Sequence, residues 1–177
     1  MSSWSGGVRG LSVFAEYFDD PAATAAAFRP DGAFRTGDTV RVMDDGTLRF
    51  ADRAADILKV GGENVGAREV EDTMRGVAGV AGTVVVAAPD PMLDEIPVAF
   101  VVAASGASDA LAHDVLAHCR ASLADFKVPR RIHVVRASEL PLNELGKVSR
   151  AELRRRLRAA GGALVPAVTA DDTNGPR

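Results

Sequence analysis

Two nearly unbroken apolar runs, residues 80–88 and 96–103, fix the kind of core this chain must build. A strand with one face in water alternates apolar and polar residues; a run without that alternation needs cover on both faces. Bounded by Gly79, Pro89, Pro91 and Pro97, the two runs read as central strands of a sheet with helices above and below. The helical patterns lie nearby. Val70, Met74 and Val77 recur at i, i+4 and i+7 from a start near Ala67, and Leu111, Val115, Leu116, Cys119 and Leu123 mark one side of a helix starting near Ser108 or Asp109. Residues 132–135 read as a third main strand, and Ser149 with Glu152 makes a capping box for a last helix that Gly161-Gly162 ends. The fold class is therefore α/β (α+β): a sheet of about three main strands with flanking helices and a two-stranded β-turn element, behind a β-rich front piece.

That front piece is rich in turns. Residues 1–10 hold serines and glycines around Trp4 without periodicity and read as loop or frayed terminus. Asp20 caps and Pro21 opens a short helix to about Phe28, Pro30-Asp31-Gly32 forces a turn, and Asp44-Asp45-Gly46 joins strands at 39–43 and 47–51. The tail, 163–177, has few large apolar side chains and reads as disordered.

A formal net charge of -3 argues against general affinity for nucleic acid. Cys119, the single cysteine, rules out an internal disulfide and reads as a small core residue. Arg9 and Glu16 interrupt any signal-peptide order, and no run reaches about 18 apolar residues, so the expected compartment is the cytoplasm. His113, His118 and His133 show no ligand spacing, and no protein-bound metal is expected.

Residues 52–71, DRAADILKVGGENVGAREVE, connect the two halves through a strand that ends in Gly61-Gly62. Taken alone, the double glycine is a hairpin turn or a place where something approaches the backbone closely. Asp38, in Thr36-Gly37-Asp38, sits in a turn or accepts hydrogen bonds from a sugar diol; Arg53 is a solvated charge, a partner for Asp52 or Asp56, or a phosphate or ribose contact. Lys147 follows Gly146 ahead of a capped helix, but Pro141 and Val148 occupy the positions where a GxxxxGK[ST] loop needs glycine and a hydroxyl. Arg150, Arg154, Arg155, Arg156 and Arg158 read as the solvated face of the last helix.

In this order the motifs resemble the adenylate-forming superfamily of acyl-CoA synthetases, nonribosomal adenylation domains and luciferases. The resemblance is carried by Glu16-Tyr17-Phe18, Asp31-Gly32-x-Phe34-x-Thr36-Gly37-Asp38, Asp52-Arg53-x2-Asp56, Lys59-x-Gly61-Gly62-Glu63-Asn64-Val65, Glu69-Val70-Glu71, Phe126-Lys127-Val128-Pro129, and Leu140-Pro141 through Gly146-Lys147. The GGENV form of the loop is more similar to the acyl-CoA ligase branch.

The resemblance implies that residues 8–53 end a large AMP-binding domain and that 54–160 form the small mobile C-terminal domain, between a disordered terminus at 1–7 and a disordered tail at 161–177. It implies an enzyme that uses ATP with Mg2+ to turn a carboxylic acid into an acyl-adenylate and passes the acyl group to CoA. By the same resemblance Lys147 is catalytic, Asp38 and Arg53 bind nucleotide, Gly61, Gly62 and Lys127 meet CoA, and Ala55 is the hinge, where many relatives carry aspartate or lysine. The phosphate loop and acyl pocket are missing, so a separate large domain is an expected partner. The alternative is a non-catalytic interaction module that keeps the fold and binds CoA or such a domain.

Overall fold

The computed structural model describes residues 3–53, 56–159 and 168–169. The chain divides into two compact units, Met1–Asp56 and Ile57–Arg177.

In the first unit, β1 (Ser3–Val8), β2 (Phe34–Val42) and β3 (Leu48–Arg53) form an antiparallel sheet in that order, with α1 (Pro21–Ala27) between the first two. The Asp20 carboxylate accepts from the Ala23 amide at 2.8 Å and caps α1, as its position before Pro21 predicts. Residues 3–8, expected as loop, are instead a strand. Gly6 explains the difference: a Cβ there would stand 2.8 Å from Thr36 Oγ1, so the absence of a side chain is what lets β1 lie against β2. Phe14, Tyr17, Phe28 and Phe34 pack edge on or tilted at centroid distances of 4.9 to 5.6 Å, filling the turn region with aromatic area.

The second unit holds a six-stranded sheet. Its strands are β4 (Ile57–Val60), β5 (Glu63–Gly66), β6 (Val80–Asp90), β7 (Asp94–Ala103), β8 (Arg131–Val135) and β9 (Val168–Thr169). β7 is the hub: it pairs antiparallel with β6 along its length, parallel with β8, and with β4 through Asp94 and Val60. The helices are α2 (Ala67–Arg75), α3 (Leu111–Ser122) and α4 (Arg150–Ala159). The three main strands expected are β6, β7 and β8, and the two-stranded β-turn element is the β4–β5 hairpin; Val168–Thr169, in the tail expected to be disordered, adds β9 to the edge of β8. The rest of the tail, 160–167 and 170–177, lies outside the described residues.

The two apolar runs have cover on both faces, as their lack of alternation requires. On one side Val85, Ala99, Val101 and Ile132 pack with Val70 and Met74 of α2 and Val115, Leu116 and Cys119 of α3. On the other, Val84, Val86, Ile96, Val98 and Phe100 pack with Leu153 and Leu157 of α4 and with Leu140. Among the described residues no helix is long and apolar enough to cross a membrane.

Burial among α3's apolar neighbours pushes the Cys119 thiol up to about 11. A thiol held above its ordinary 9.0 contributes stability that is complete below that value and is lost as pH rises toward 11. Folded protein near neutral pH is therefore expected to resist thiol reagents until denaturant is added. Between pH 9.0 and 11 the unfolding midpoint should fall less in Cys119→Ala than in the parent chain.

Candidate functional site

The first unit brings two of the expected residues together. Asp38 and Arg53 face each other in the register of β2 and β3, and Arg53 Nε donates to Asp38 Oδ1 at 3.1 Å. Asp38 is thus a partner of Arg53, one that sequence proximity did not indicate. Thr36 Oγ1 accepts from the Asp38 amide at 3.1 Å, and Gly37 has φ 73°, a bend that sets Asp38 at its place in the strand. Ala55, the expected hinge, lies outside the described residues.

In the second unit, Gly61 and Gly62 are the two-residue turn between β4 and β5, with Val60 opposite Glu63. Both have positive φ, 57° and 86°, as a type I′ turn demands. The Gly61 amide donates to the Leu93 carbonyl at 2.8 Å, and a Cβ on Gly61 would sit 3.3 Å from Leu93 Cδ2. At Gly62 a Cβ would meet nothing within 4 Å, so bare backbone faces open space. The ammonium of Lys59 hydrogen-bonds the Asn64 side chain across the hairpin, and the Lys59 amide donates to Glu95 Oε2 at 2.8 Å. These contacts hold the turn by its stem and leave its tip uncovered.

Lys147 sits on a separate loop, residues 141–149, closed by a bridge between Leu142 and Val148. Asn143 organises that loop. Its Oδ1 accepts from the amides of Leu145 at 3.0 Å and Lys147 at 2.9 Å, its own amide donates to the Lys147 carbonyl at 2.7 Å, and its carbonyl accepts from Gly146 at 2.9 Å. Gly146 takes φ 72°, which the tight return to Lys147 needs. The ammonium of Lys147 is exposed and makes no hydrogen bond or ion pair with another described residue. Asn143 was not singled out in the sequence, although an asparagine two and four residues ahead of the amides it binds is ordinary Asx-turn chemistry.

Lys127 is differently placed. It ends a single 3-10 turn, Asp125–Lys127, and its ammonium is held by both oxygens of Glu69 at 2.7 and 2.9 Å. Arg130 bonds Asp125 at 3.1 Å and lines a cavity of about 460 Å3 with Asp90, Met92, Leu93, Ile96 and Arg131.

Arg150 departs from the solvated arginine face expected of α4. Its Nη2 contacts both Glu71 oxygens at 2.8 and 3.1 Å, and the Glu71 side chain is only 4% exposed. Glu71 Oε1 also accepts from the Val85 amide at 2.7 Å. Burial pushes the Glu71 carboxyl up from its ordinary range, while the Val85 amide, Arg150 and Arg75 act to hold it down. Arg155 and Arg156 do stay near solvent, both on Glu152. Ser149 caps α4 through Oγ, 3.3 Å from the Glu152 amide, but the Ser149 amide donates to the Pro141 carbonyl, so the capping box is half made.

The fold that carries this glycine hairpin and this lysine loop is matched by known proteins. Residues 69–147 match the AMP-binding enzyme C-terminal domain. Residues 69–147 thus form the C-terminal domain of an AMP-binding enzyme, and curated relatives are named as acyl-CoA ligases. A (methyl-dioxo-octahydroindenyl)propanoyl:CoA ligase of Mycobacterium tuberculosis is 44% identical over 147 residues, 83% of this chain and 28% of that one. Feruloyl-CoA synthase of Amycolatopsis is 38% identical over 84% of this chain and 30% of its own length. ATP-bound MatB from Rhodopseudomonas palustris superposes with a TM-score of 0.80 at 31% identity, over 90% of this chain and 31% of that one. The chain therefore spans 28 to 30% of the length of the two curated relatives.

Since φ at Gly62 is 86° and no neighbour lies within 4 Å, substitution there is opposed by backbone strain alone. Gly62→Ala is expected to destabilise the fold by about 1 kcal/mol and Gly62→Asn by less, because asparagine tolerates the left-handed region. Urea unfolding of the three chains measures the ranking.

Proposed function

We propose that this chain is the C-terminal part of an ATP-dependent, AMP-forming acyl-CoA ligase, acting with a large domain that supplies the phosphate loop and the acyl pocket. Residues 8–53 are the end of that large domain, 54–160 the small mobile one, and Ala55 the pivot. The division of the chain at Asp56 and Ile57 supports this boundary. The observation that carries the reading is Lys147: an exposed ammonium that pairs with no other described residue, on a loop locked by its own hydrogen bonds.

In the first half-reaction a carboxylate oxygen attacks the α-phosphorus of ATP, which enters with Mg2+, and the bond to pyrophosphate breaks. Negative charge grows on the phosphoryl oxygens. Lys147 provides a compact cation for it, delivered with little reorganisation because the loop is already folded. Asp38 holds the ribose hydroxyls through Oδ2, since Arg53 already occupies Oδ1, and Arg53 adds a donor at the ribose or phosphate.

In the second half-reaction the CoA sulfur, after losing its proton, attacks the acyl carbonyl, and the bond to AMP breaks. The pantetheine arm runs along the β4–β5 turn, where the open space at Gly62 gives it passage and Gly61 lies against Leu93. Glu69 already meets much of the Lys127 charge through both carboxylate oxygens, so the contribution of Lys127 at a CoA phosphate is smaller than a free lysine's.

With the large domain added, Lys147→Ala is expected to slow acid-dependent pyrophosphate exchange by about 100- to 1000-fold, the effect of losing one transition-state charge contact. An unchanged exchange rate removes Lys147 from the chemistry.

A further inference from the structure

A flexible lysine is useful only if the loop beneath it stays put, and the hydrogen bonds centred on Asn143 tie that loop to itself, not to the domain. Three features connect it to the rest of the second unit. Leu140 and Val148 pack against the cluster around Val98 and Phe100, which resists separation but sets no angle. Arg150 does set one. It lies three residues beyond Lys147, and its guanidinium reaches a carboxylate 79 residues away in sequence.

That carboxylate is itself fixed. Glu71 Oε1 takes the Val85 amide of β6 at 2.7 Å, Arg75 Nη2 approaches Oε2 at 3.6 Å, and the Glu71 carbonyl accepts from Thr83 Oγ1 at 3.3 Å. A sheet amide, a helix and the first residue of α4 thus converge on one buried group. Apolar residues of similar volume commonly hold two elements together as well as a buried ion pair does; what the pair adds is direction, because a planar fork meets two oxygens in few orientations.

We infer that Glu71 and Arg150 are positioning residues for Lys147, fixing the root of its loop to β6 and α2 so that the ammonium enters the adenylation site in one register. Neither touches substrate. The share of this role that concerns adenylation rests on the reading of Lys147 above; the anchoring of the loop does not.

Two variants of the full chain test it. Arg150→Met removes the fork and keeps the aliphatic stem, and Glu71→Gln keeps acceptors for Val85 and Arg150 while removing the charge, which guards against simple misfolding. Amide hydrogen exchange compares Leu145, Lys147 and Ser149 of the loop with Val98 of the core. Arg150→Met should speed exchange at the loop amides by about tenfold or more with Val98 unchanged, Glu71→Gln less so. With the large domain added, it should lower the rate of pyrophosphate exchange by about 10- to 100-fold at nearly constant KM for ATP. Unchanged loop amides, or loop and core amides speeding up together, overturn the inference. Deprotection of the loop beside a silent Lys147→Ala upholds the anchoring and overturns the catalytic reading instead.

Discussion

The pairing of β6 with β7 is the constraint on which the rest of the second unit depends. Their ladder runs from Val80 opposite Ala103 to Asp90 opposite Asp94, and almost every side chain along it is apolar. With no polar face to turn toward water, the pair must be covered twice, by α2 and α3 on one side and α4 on the other. The two covers have different consequences. The α2 side includes the strand stems of the glycine turn, through Leu58, Val60 and Val65, while the α4 side carries Leu140 and Val148, which flank the lysine loop. A single buried ladder therefore supports two separate exposed features.

Those features are built by opposite means. At Gly61-Gly62 the chain removes side chains, so that Gly61 lies against Leu93 and Gly62 meets open space; at Lys147 it presents one long cationic side chain from a loop tightened by Asn143. The first suits passage of a thin flexible arm, the second suits a charge that must appear on demand. Under the proposed function the two features serve the two half-reactions in turn.

Much of this was legible in sequence because it is local. Gly61-Gly62 between two short strands declares its turn, Asp20-Pro21 declares the start of α1, and the unbroken runs declare a sheet buried on both faces. What sequence hid was long-range. The Glu71–Arg150 pair joins residues 79 apart, so Arg150 looked like one more cation on a solvated helix. Lys127, which the resemblance assigns to CoA, is held by Glu69, 58 residues earlier, a pairing no local pattern shows. β1 was missed because Ser3–Val8 hold mostly serine and glycine, and β9 because two residues are too short a run to read as a strand; a neighbouring strand pairs with each. Among the candidate site residues, motif order pointed to Lys147 and the glycines, whereas Asn143, which closes the Lys147 loop, and the Glu71–Arg150 pair became visible only in three dimensions.

The claim that the glycine turn and the lysine loop serve different half-reactions meets its most direct test in Gly62→Trp. Combined with the large domain, this chain should retain pyrophosphate exchange at close to the parent rate yet lose transfer of a supplied acyl-adenylate to CoA. Equal loss of both rates, or full retention of CoA transfer, contradicts it.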